Sequence, residues 1–403
     1  AAYRKFLEDS SSAIVSAKAA LESCSRSFDI RKLAACTHGD TNTFYILCGW
    51  MTEKDALAFQ KDIQNDEKIF CLMEDQQAPA KKKPPTKLKN PKLFKPFEMY
   101  VKMYGLPACN EMDPTWFVAI PYSFIFGAMF GDVGQGLILF LGGLFLYKTK
   151  HMDLAGIISC AGVFSVFFGF MYGSFFGFED VLKAIWLKPM NQMMDVPLVG
   201  RLNAVFVIAI GFGMFIILIC MIFNIINSIR NKDTEKAWFD SNAVAGLVFY
   251  GSIVLTVGLF ISGRKLPATA VLVVMFGVPL LLMFLKEPLT NLVEKKSKIF
   301  PEQKGMFFVQ SFFELFEVLL SYLSNTLSFL RIGAFAVSHA AMMEVVLMLV
   351  VVLGNIFVCA MEGLIVGIQV LRLEYYEIFS RFYAGNGREF QPFMKTLRKS
   401  VQK

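Results

Sequence analysis

Three histidines and no Cys-x-x-Cys pair are all that 403 residues offer toward a metal centre. Structural and catalytic metals need clustered His and Cys at short spacings, so no histidine-based metal site is expected. No Gly-x-x-x-x-Gly-Lys-Ser/Thr phosphate loop occurs either, and the chain is not expected to hydrolyse a nucleotide by itself. The glycines of Gly131, Gly134 and Gly136 mimic a nucleotide loop in spacing, but they stand inside an apolar run and read as a helix break. Charge is scarce, with 18% Asp, Glu, Lys and Arg against 55% hydrophobic residues. Soluble domains carry roughly 25% charged residues, so this is an integral membrane protein with a soluble part attached. The eight cysteines show no disulfide spacing, and five lie in the first 110 residues, which suits free thiols in a reducing compartment. The net charge of +7 resides in basic residues flanking apolar runs, as orientation signals do, and nucleic acid is not an expected partner. The chain opens Ala-Ala-Tyr, without Met or a leader, which suggests a fragment or processed chain.

Four regions follow from composition. Residues 1–40 are polar, with Phe6, Ile14, Ala17, Leu21 and Phe28 at near-helical spacing, and predict one long amphipathic helix over 3–33. Residues 41–78 predict part of a small α/β lobe. It has a β-run at 43–50, a helix opened by Thr52 and reaching about Asn65, and a β-run at 69–73. Residues 79–114 form a basic, proline-containing linker, with Lys81, Lys82, Lys83 and Lys87 marking it as cytoplasmic. Residues 115–403 form the membrane domain. Hydropathy gives seven apolar blocks there, yet both ends of the domain are basic, which calls for an even number of crossings. The block 116–147 resolves this. As one helix its 32 residues would be about 48 Å long, against a hydrocarbon core of about 30 Å. Broken at 131–136, it becomes two short helices, giving about eight crossings with both termini cytoplasmic.

Charge inside those blocks marks the chemistry. Arg331 stands in the middle of an apolar run, where even the lenient insertion scale charges about 2.5–3.5 kcal/mol. Glu317, Ser321, Ser324, Ser328, Arg331, Ser338 and His339 follow at steps of four, three, four, three, seven and one. Helical spacing puts this stripe on one face, which a lipid-facing helix would not tolerate. Gly333, Ala334, Ala336, Ala340 and Ala341 beside it permit a close neighbour. The last block repeats the pattern with Glu362, Gln369, Arg372 and Tyr376. A turn between the two helices is expected near Gly354 and Asn355. That puts Arg331 and Arg372 about 35 and 26 Å from it, within two turns in height. Asp132, in the glycine-flanked break, is the remaining polar candidate.

At these residues the chain resembles the membrane a/I subunit of V-type and A-type rotary ATPases. The strongest likeness lies in the run Ser-Phe-Leu-Arg-Ile-Gly-Ala-Phe-Ala-Val-Ser-His at 328–339, with Met361-Glu-Gly and the segment 371–383 behind it. Pro96-Phe-Glu-Met-Tyr, Asp113-Pro-Thr and Met129-Phe-Gly-Asp add to it, and the short loops favour a prokaryotic subunit I. The resemblance implies eight membrane helices, the last two long and tilted beside a rotating proteolipid c/K ring. It also implies a cytoplasmic arm, of which 3–33 would be half of a coiled coil. Arg331 matches the family's essential arginine and Arg372 its second. Glu317, His339 and Glu362 match polar residues of the ion path, where Ser324, Ser328, Ser338 and Gln369 join them by position. Implied partners are the ring, peripheral-stalk subunits, the central-stalk cap subunit d/C, the soluble V1/A1 ATPase sector and the lipid bilayer of a prokaryotic plasma membrane. The transported ion is H⁺ or Na⁺, no cofactor is bound, and catalysis belongs to other chains. A secondary ion-coupled transporter is the rival reading, but it predicts two repeated halves, and none is evident here.

Overall fold

A computed structural model describes residues 17, 18, 21, 49–64, 70–73, 84–178, 181–187, 189, 193–196, 200–231, 233–265, 267–293, 304–349 and 351–390. The chain forms two compact units, Ala1–Pro85 with Arg388–Lys403, and Thr86–Gly387.

In the first unit, α1 spans Glu53–Ile63. Thr52 caps it, accepting from the Asp55 amide at 3.4 Å and donating its hydroxyl to the Asp55 carboxylate at 2.5 Å. This is the start that the sequence predicts. Of the two expected β-runs, only Gly49, Trp50 and residues 70–73 are described, and none is in a strand. Phe70 is 90% exposed, and among the described residues no strand lies beside it. Residues 17, 18 and 21 are helical, but the rest of the expected helix over 3–33 and the tail beyond 390 lie outside the described residues.

The second unit begins within the basic linker, at Thr86, and its first buried residue is Pro96. A 3-10 turn at Lys95–Phe97 leads into α2, Glu98–Tyr104. Pro96, Phe97, Tyr100 and Val101 are buried, and Asn90 bridges Glu98 at 3.2 Å and Asp113 at 2.9 Å. Asp113 then starts α3, Thr115–Met129, by accepting from the Thr115 amide at 2.9 Å.

The expected break follows, at residues 130–132, ahead of α4, Val133–Lys150. The basic end of α4 turns through His151, at φ 51°, into α5, Asp153–Tyr172. Helices α4 and α5 pack closely because glycines on each face the backbone of the other. A Cβ on Gly162 would lie 2.6 Å from the Phe140 nitrogen. A two-stranded antiparallel hairpin, β1 at Met193–Val196 and β2 at Gly200–Asn203, pairs Met193 with Asn203 and precedes α6, Ala204–Arg230. A π-helical segment, Glu235–Phe239, leads to α7, Val244–Ile261. Then come α8, Thr269–Phe284, and α9, Lys286–Val293, bent by 74° against each other. The final helices are α10, Lys304–Ser328, α11, Leu330–Leu349, and α12, Val351–Leu373. A π-helical segment at Glu374–Phe379 and the short α13, Ser380–Phe382, complete the unit.

Among the described residues, five helices are long and apolar enough to cross a membrane, or six if the bent pair is one span. Thr115–Met129 is a shorter apolar helix beside them, and α4 ends in Lys148 and Lys150. This is the composition of a multi-pass membrane protein. One apolar cluster joins α3, α6, α7 and the last helices through Tyr122, Ile217, Tyr250, Phe329, Val370 and Phe379.

One expectation is corrected. Gly354 and Asn355 do not form the turn between the last two long helices; both lie inside α12, and α11 has already ended at Leu349. A Gly-Asn pair reads as a turn signal in isolation. Here Asn355 is buried, its carbonyl accepting from Gln135 Nε2 at 2.9 Å, and that partner keeps it in a helix.

Candidate functional site

The earlier turn changes the heights. Arg331 stands about 27 Å before Leu349, and Arg372 about 32 Å after Val351, at 1.5 Å per residue. The two arginines are therefore about one helical turn apart on adjacent antiparallel helices, closer than the sequence suggests.

Neither arginine forms a salt bridge among the described residues. Arg331 is half-buried, and its buried Nη1 has no hydrogen-bond partner. Arg372 is exposed. Gln369, one turn before it, also leaves a buried Oε1 unpartnered. Unpartnered buried polar atoms are rare in folded proteins because each costs about 1–3 kcal/mol. Two of them beside two uncompensated cations make a place that can receive an anionic group from outside the chain.

The predicted stripe is divided by the fold. Phe329, fully buried, interrupts the helix between α10 and α11, its ring filling the space left by Gly213 of α6. On α10, Glu317, Ser321 and Ser324 are exposed, and Ser328 is half-buried. On α11, Ser338 is exposed, whereas His339 turns inward. His339 Nδ1 lies 2.7 Å from Glu362 Oε2, with both side chains almost fully buried. Its ring packs 4.8 Å from Phe130, the residue that ends α3. His339 Nε2 and Glu362 Oε1 remain without partners. Beyond them Gln135 bridges α4 to both helices, reaching Asn355 and, at 3.2 Å, the Met343 sulfur. The two faces of α10–α12 thus differ. Glu317, Ser324, Ser338 and Arg372 look out, while His339 and Glu362 tie the hairpin together.

Asp132 is a charged residue of another kind. It is fully buried and caps α4, Oδ1 accepting from Gln135 N at 2.9 Å and Phe176 N at 3.1 Å. Its Oδ2 accepts from Ser174 Oγ at 2.7 Å and Gly177 N at 3.0 Å. The turn at 174–177 bends with Phe176 at φ 50° and Gly177 at φ 84°, so that successive amides converge on the carboxylate as in an anion-binding nest. Four donors saturate it.

Sequence reading missed three charges. Glu374 is fully buried, Glu377 is 5% exposed and Arg381 is 6% exposed. Arg381 Nη1 donates to Asn242 Oδ1 at 2.9 Å, and its guanidinium lies 5.8 Å from the centre of the Tyr322 ring. All three stand within the last apolar block, and the rule that flagged Arg331 would have found them. Among the described residues, no group of three or more His, Cys, Asp or Glu is arranged to hold a metal ion.

Comparison with known proteins gives a consistent result. Residues 3–195 match the V-type ATPase 116kDa subunit family. The chain is 29% identical over 361 residues to the A-type ATP synthase subunit I of Aeropyrum pernix, covering 76% of this chain and 51% of that one. It is 28% identical over 390 residues to the A-type ATP synthase subunit I of Pyrococcus horikoshii, covering 88% and 54%. The corresponding protein of Methanocaldococcus jannaschii is 26% identical over 401 residues, covering 88% and 56%. The chain spans about half the length of the curated relatives it matches. By these matches the chain is similar to the V-type ATPase 116kDa subunit family over residues 3–195, and over most of its length to A-type ATP synthase subunit I.

Proposed function

We propose that this chain is the membrane stator subunit, a/I, of a rotary ion-translocating ATPase. It faces a ring of proteolipid c/K subunits and provides two half-channels for H⁺ or Na⁺, coupled to ATP hydrolysis or synthesis on a soluble V1/A1 sector. The chain itself is not catalytic. The observation that carries this reading is the pair Arg331 and Arg372, one turn apart in height and without salt bridges among the described residues. A ring carboxylate has to shed its ion to pass the stator and take one up afterwards. A guanidinium that never deprotonates favours the ionised carboxylate in a low-dielectric setting and repels a cation trying to pass straight through. Lysine would be a poor replacement, because a buried ammonium loses its proton more readily.

Polar side chains lead away from Arg331 in both directions. Glu317, Ser321, Ser324 and Ser328 precede it along α10, while Ser338, His339 and Glu362 lie toward the hairpin end, with Gln369 between Glu362 and Arg372. These two sets are the proposed walls of the half-channels. In this reading α3 and α4 are two short crossings joined at the break, which with the remaining helices makes eight, both ends cytoplasmic, in a prokaryotic plasma membrane. The helix Gly305–Glu344 has 40 residues, about 60 Å of helix. Against a core of about 30 Å, it is tilted or extends beyond the bilayer. The soluble arm meets the peripheral stalk, and the central-stalk cap d/C closes the ring.

The test is Arg331→Ala in the complex purified through this subunit and reconstituted into vesicles. ATP-driven ion uptake is expected to vanish while the ring still co-purifies. Uptake at the unmodified rate would overturn the assignment. Arg372→Ala is expected to slow uptake more mildly, and an unchanged rate would remove Arg372 from the site.

A further inference from the structure

Arg372 stands near the end of α12, two residues before the π-helical segment Glu374–Phe379. It is exposed, while Val366, Val370 and Leu373 of the same helix are fully buried. Where Arg372 points therefore depends on how α12 is turned about its axis, at about 100° per residue.

A grip on that rotation comes from the short helix α2, ahead of the first membrane helix. Tyr375 Oη donates to the Tyr100 carbonyl at 3.0 Å. The ring centre of Tyr104 lies 5.4 Å from that of Tyr375, 5.0 Å from Phe379 and 5.3 Å from Tyr383, residues that follow at steps of four. Tyr100 Oη in turn donates to Tyr122 Oη of α3 at 3.1 Å, and Tyr122 Oη to the Gly367 carbonyl at a longer 3.4 Å. Gly367 lies five residues before Arg372 and Tyr375 three after it, so the segment carrying the arginine is held on both sides. Asn227 of α6 fastens the tail beyond, accepting from the Met112 amide at 3.0 Å and donating to the Phe382 carbonyl at 2.9 Å. The Gly387 amide donates to the Leu106 carbonyl at 2.7 Å, and a Cβ on Gly105 would lie 2.5 Å from the Gly385 oxygen. The chain that enters the membrane domain thus clasps the chain that leaves it.

We propose that α2 is the positioning element for Arg372. Tyr104, and the bonds that join Tyr375, Tyr100 and Tyr122, set the rotation of the helix carrying Arg372 and so aim its guanidinium at the proteolipid ring. The inference rests on the stator reading above, and these tyrosines are positioning residues.

Burial of Val366, Val370 and Leu373 holds α12 in place without fixing its angle, because apolar contact is non-directional. Hydroxyl bonds and edge-on rings are directional. The π-helical segment falls between Arg372 and the fastened tail. A change from α to π closure offsets the residues beyond it by about one residue, or about 100° of rotation. Freed of α2, the segment can close as an α-helix, and Arg372 turns by up to that angle against the tail.

The experiment uses Tyr375→Phe, Tyr122→Phe and Tyr104→Leu, each alone and combined with Arg372→Ala, in the reconstituted complex. ATP-driven ion uptake is read at matched amounts of assembled complex. Tyr375→Phe is expected to slow uptake about threefold, within the range for one lost hydrogen bond and not beyond the loss in Arg372→Ala. Tyr104→Leu should slow it more, and Tyr122→Phe less, since the bond to Gly367 is long. With Arg372→Ala already present, the same substitutions are expected to change uptake no further, because they act through a side chain that is gone. A purely structural role slows uptake by the same factor in both backgrounds, and that result overturns the proposal. Unchanged uptake in Tyr375→Phe alone overturns it too. If Tyr104→Leu does not assemble, the two Phe variants, which keep the rings, decide by the same comparison. Where Arg372→Ala leaves no measurable uptake, Arg372→Lys takes its place, and equal factors in the two backgrounds again overturn the proposal. Full uptake by Arg331→Ala defeats the stator reading beneath it. No uptake by Arg331→Ala, with equal factors for the tyrosines, defeats only the positioning role.

Discussion

Asp132 and Arg331 are both charges inside apolar helices, and the protein treats them in opposite ways. Four donors surround Asp132, and solvent does not reach it. Arg331 is half-exposed, without a salt bridge among the described residues, and has an idle buried nitrogen. A charge that serves architecture is saturated by its own chain. A charge kept short of partners is held for something that arrives from outside. The same contrast separates α3–α5, closed against each other glycine to backbone, from α10–α12, whose outer face stays open.

The contrast is sharpest in stability. Asp132→Ala is expected to cost about 3 kcal/mol or more, because it strips the cap from α4 and orphans buried donors. Arg331→Ala should shift stability by less than about 0.5 kcal/mol, since it breaks no salt bridge. Thermal unfolding of the detergent-purified protein measures both, and equal losses would erase the distinction. Next in size, Gly162→Ala should cost about 1–3 kcal/mol by forcing α4 and α5 apart. Gln135→Leu should cost about 1–2 kcal/mol by severing the 2.9 Å bond to Asn355. A double variant of Gln135 and Asn355 to apolar residues that restores stability would identify the bond as the cause. A change confined to one helix is expected outside the membrane helices. Thr52→Ala should weaken α1 by about 1 kcal/mol, seen as faster amide exchange across residues 53–63 with no effect on ion uptake.

Much of the site is legible in the sequence because intramembrane charge is too expensive to be accidental. Arg331, Arg372 and the break at Asp132 are all found that way. The division of the polar stripe is not legible, since it depends on Phe329 finding room at Gly213, more than a hundred residues away. Nor is the saturation of Asp132, whose donors come from residues 174–177, beyond the whole of α5. The turn was misplaced because local turn chemistry at Gly354 and Asn355 was outweighed by a tertiary partner, Gln135. With α11 ending at Leu349 and α12 starting at Val351, the two arginines stand at nearly the same height.

The position of Arg331 also has a mechanical side. Thr326, five residues before it, is bonded to Tyr250 of α7 at 2.8 Å, and His339, eight residues after it, is bonded to Glu362. The arginine therefore rides on a helical run about 20 Å long, carried across Phe329 by bonds three residues apart and fastened at both ends. A beam held at both ends yields far less at its middle than one held at a single end. In the proposed stator role, a passing ring swings the long side chain but can hardly drag the backbone after it. Compliance then lies in the four side-chain torsions of Arg331, and the fixed reference against which anything turns is the helix itself.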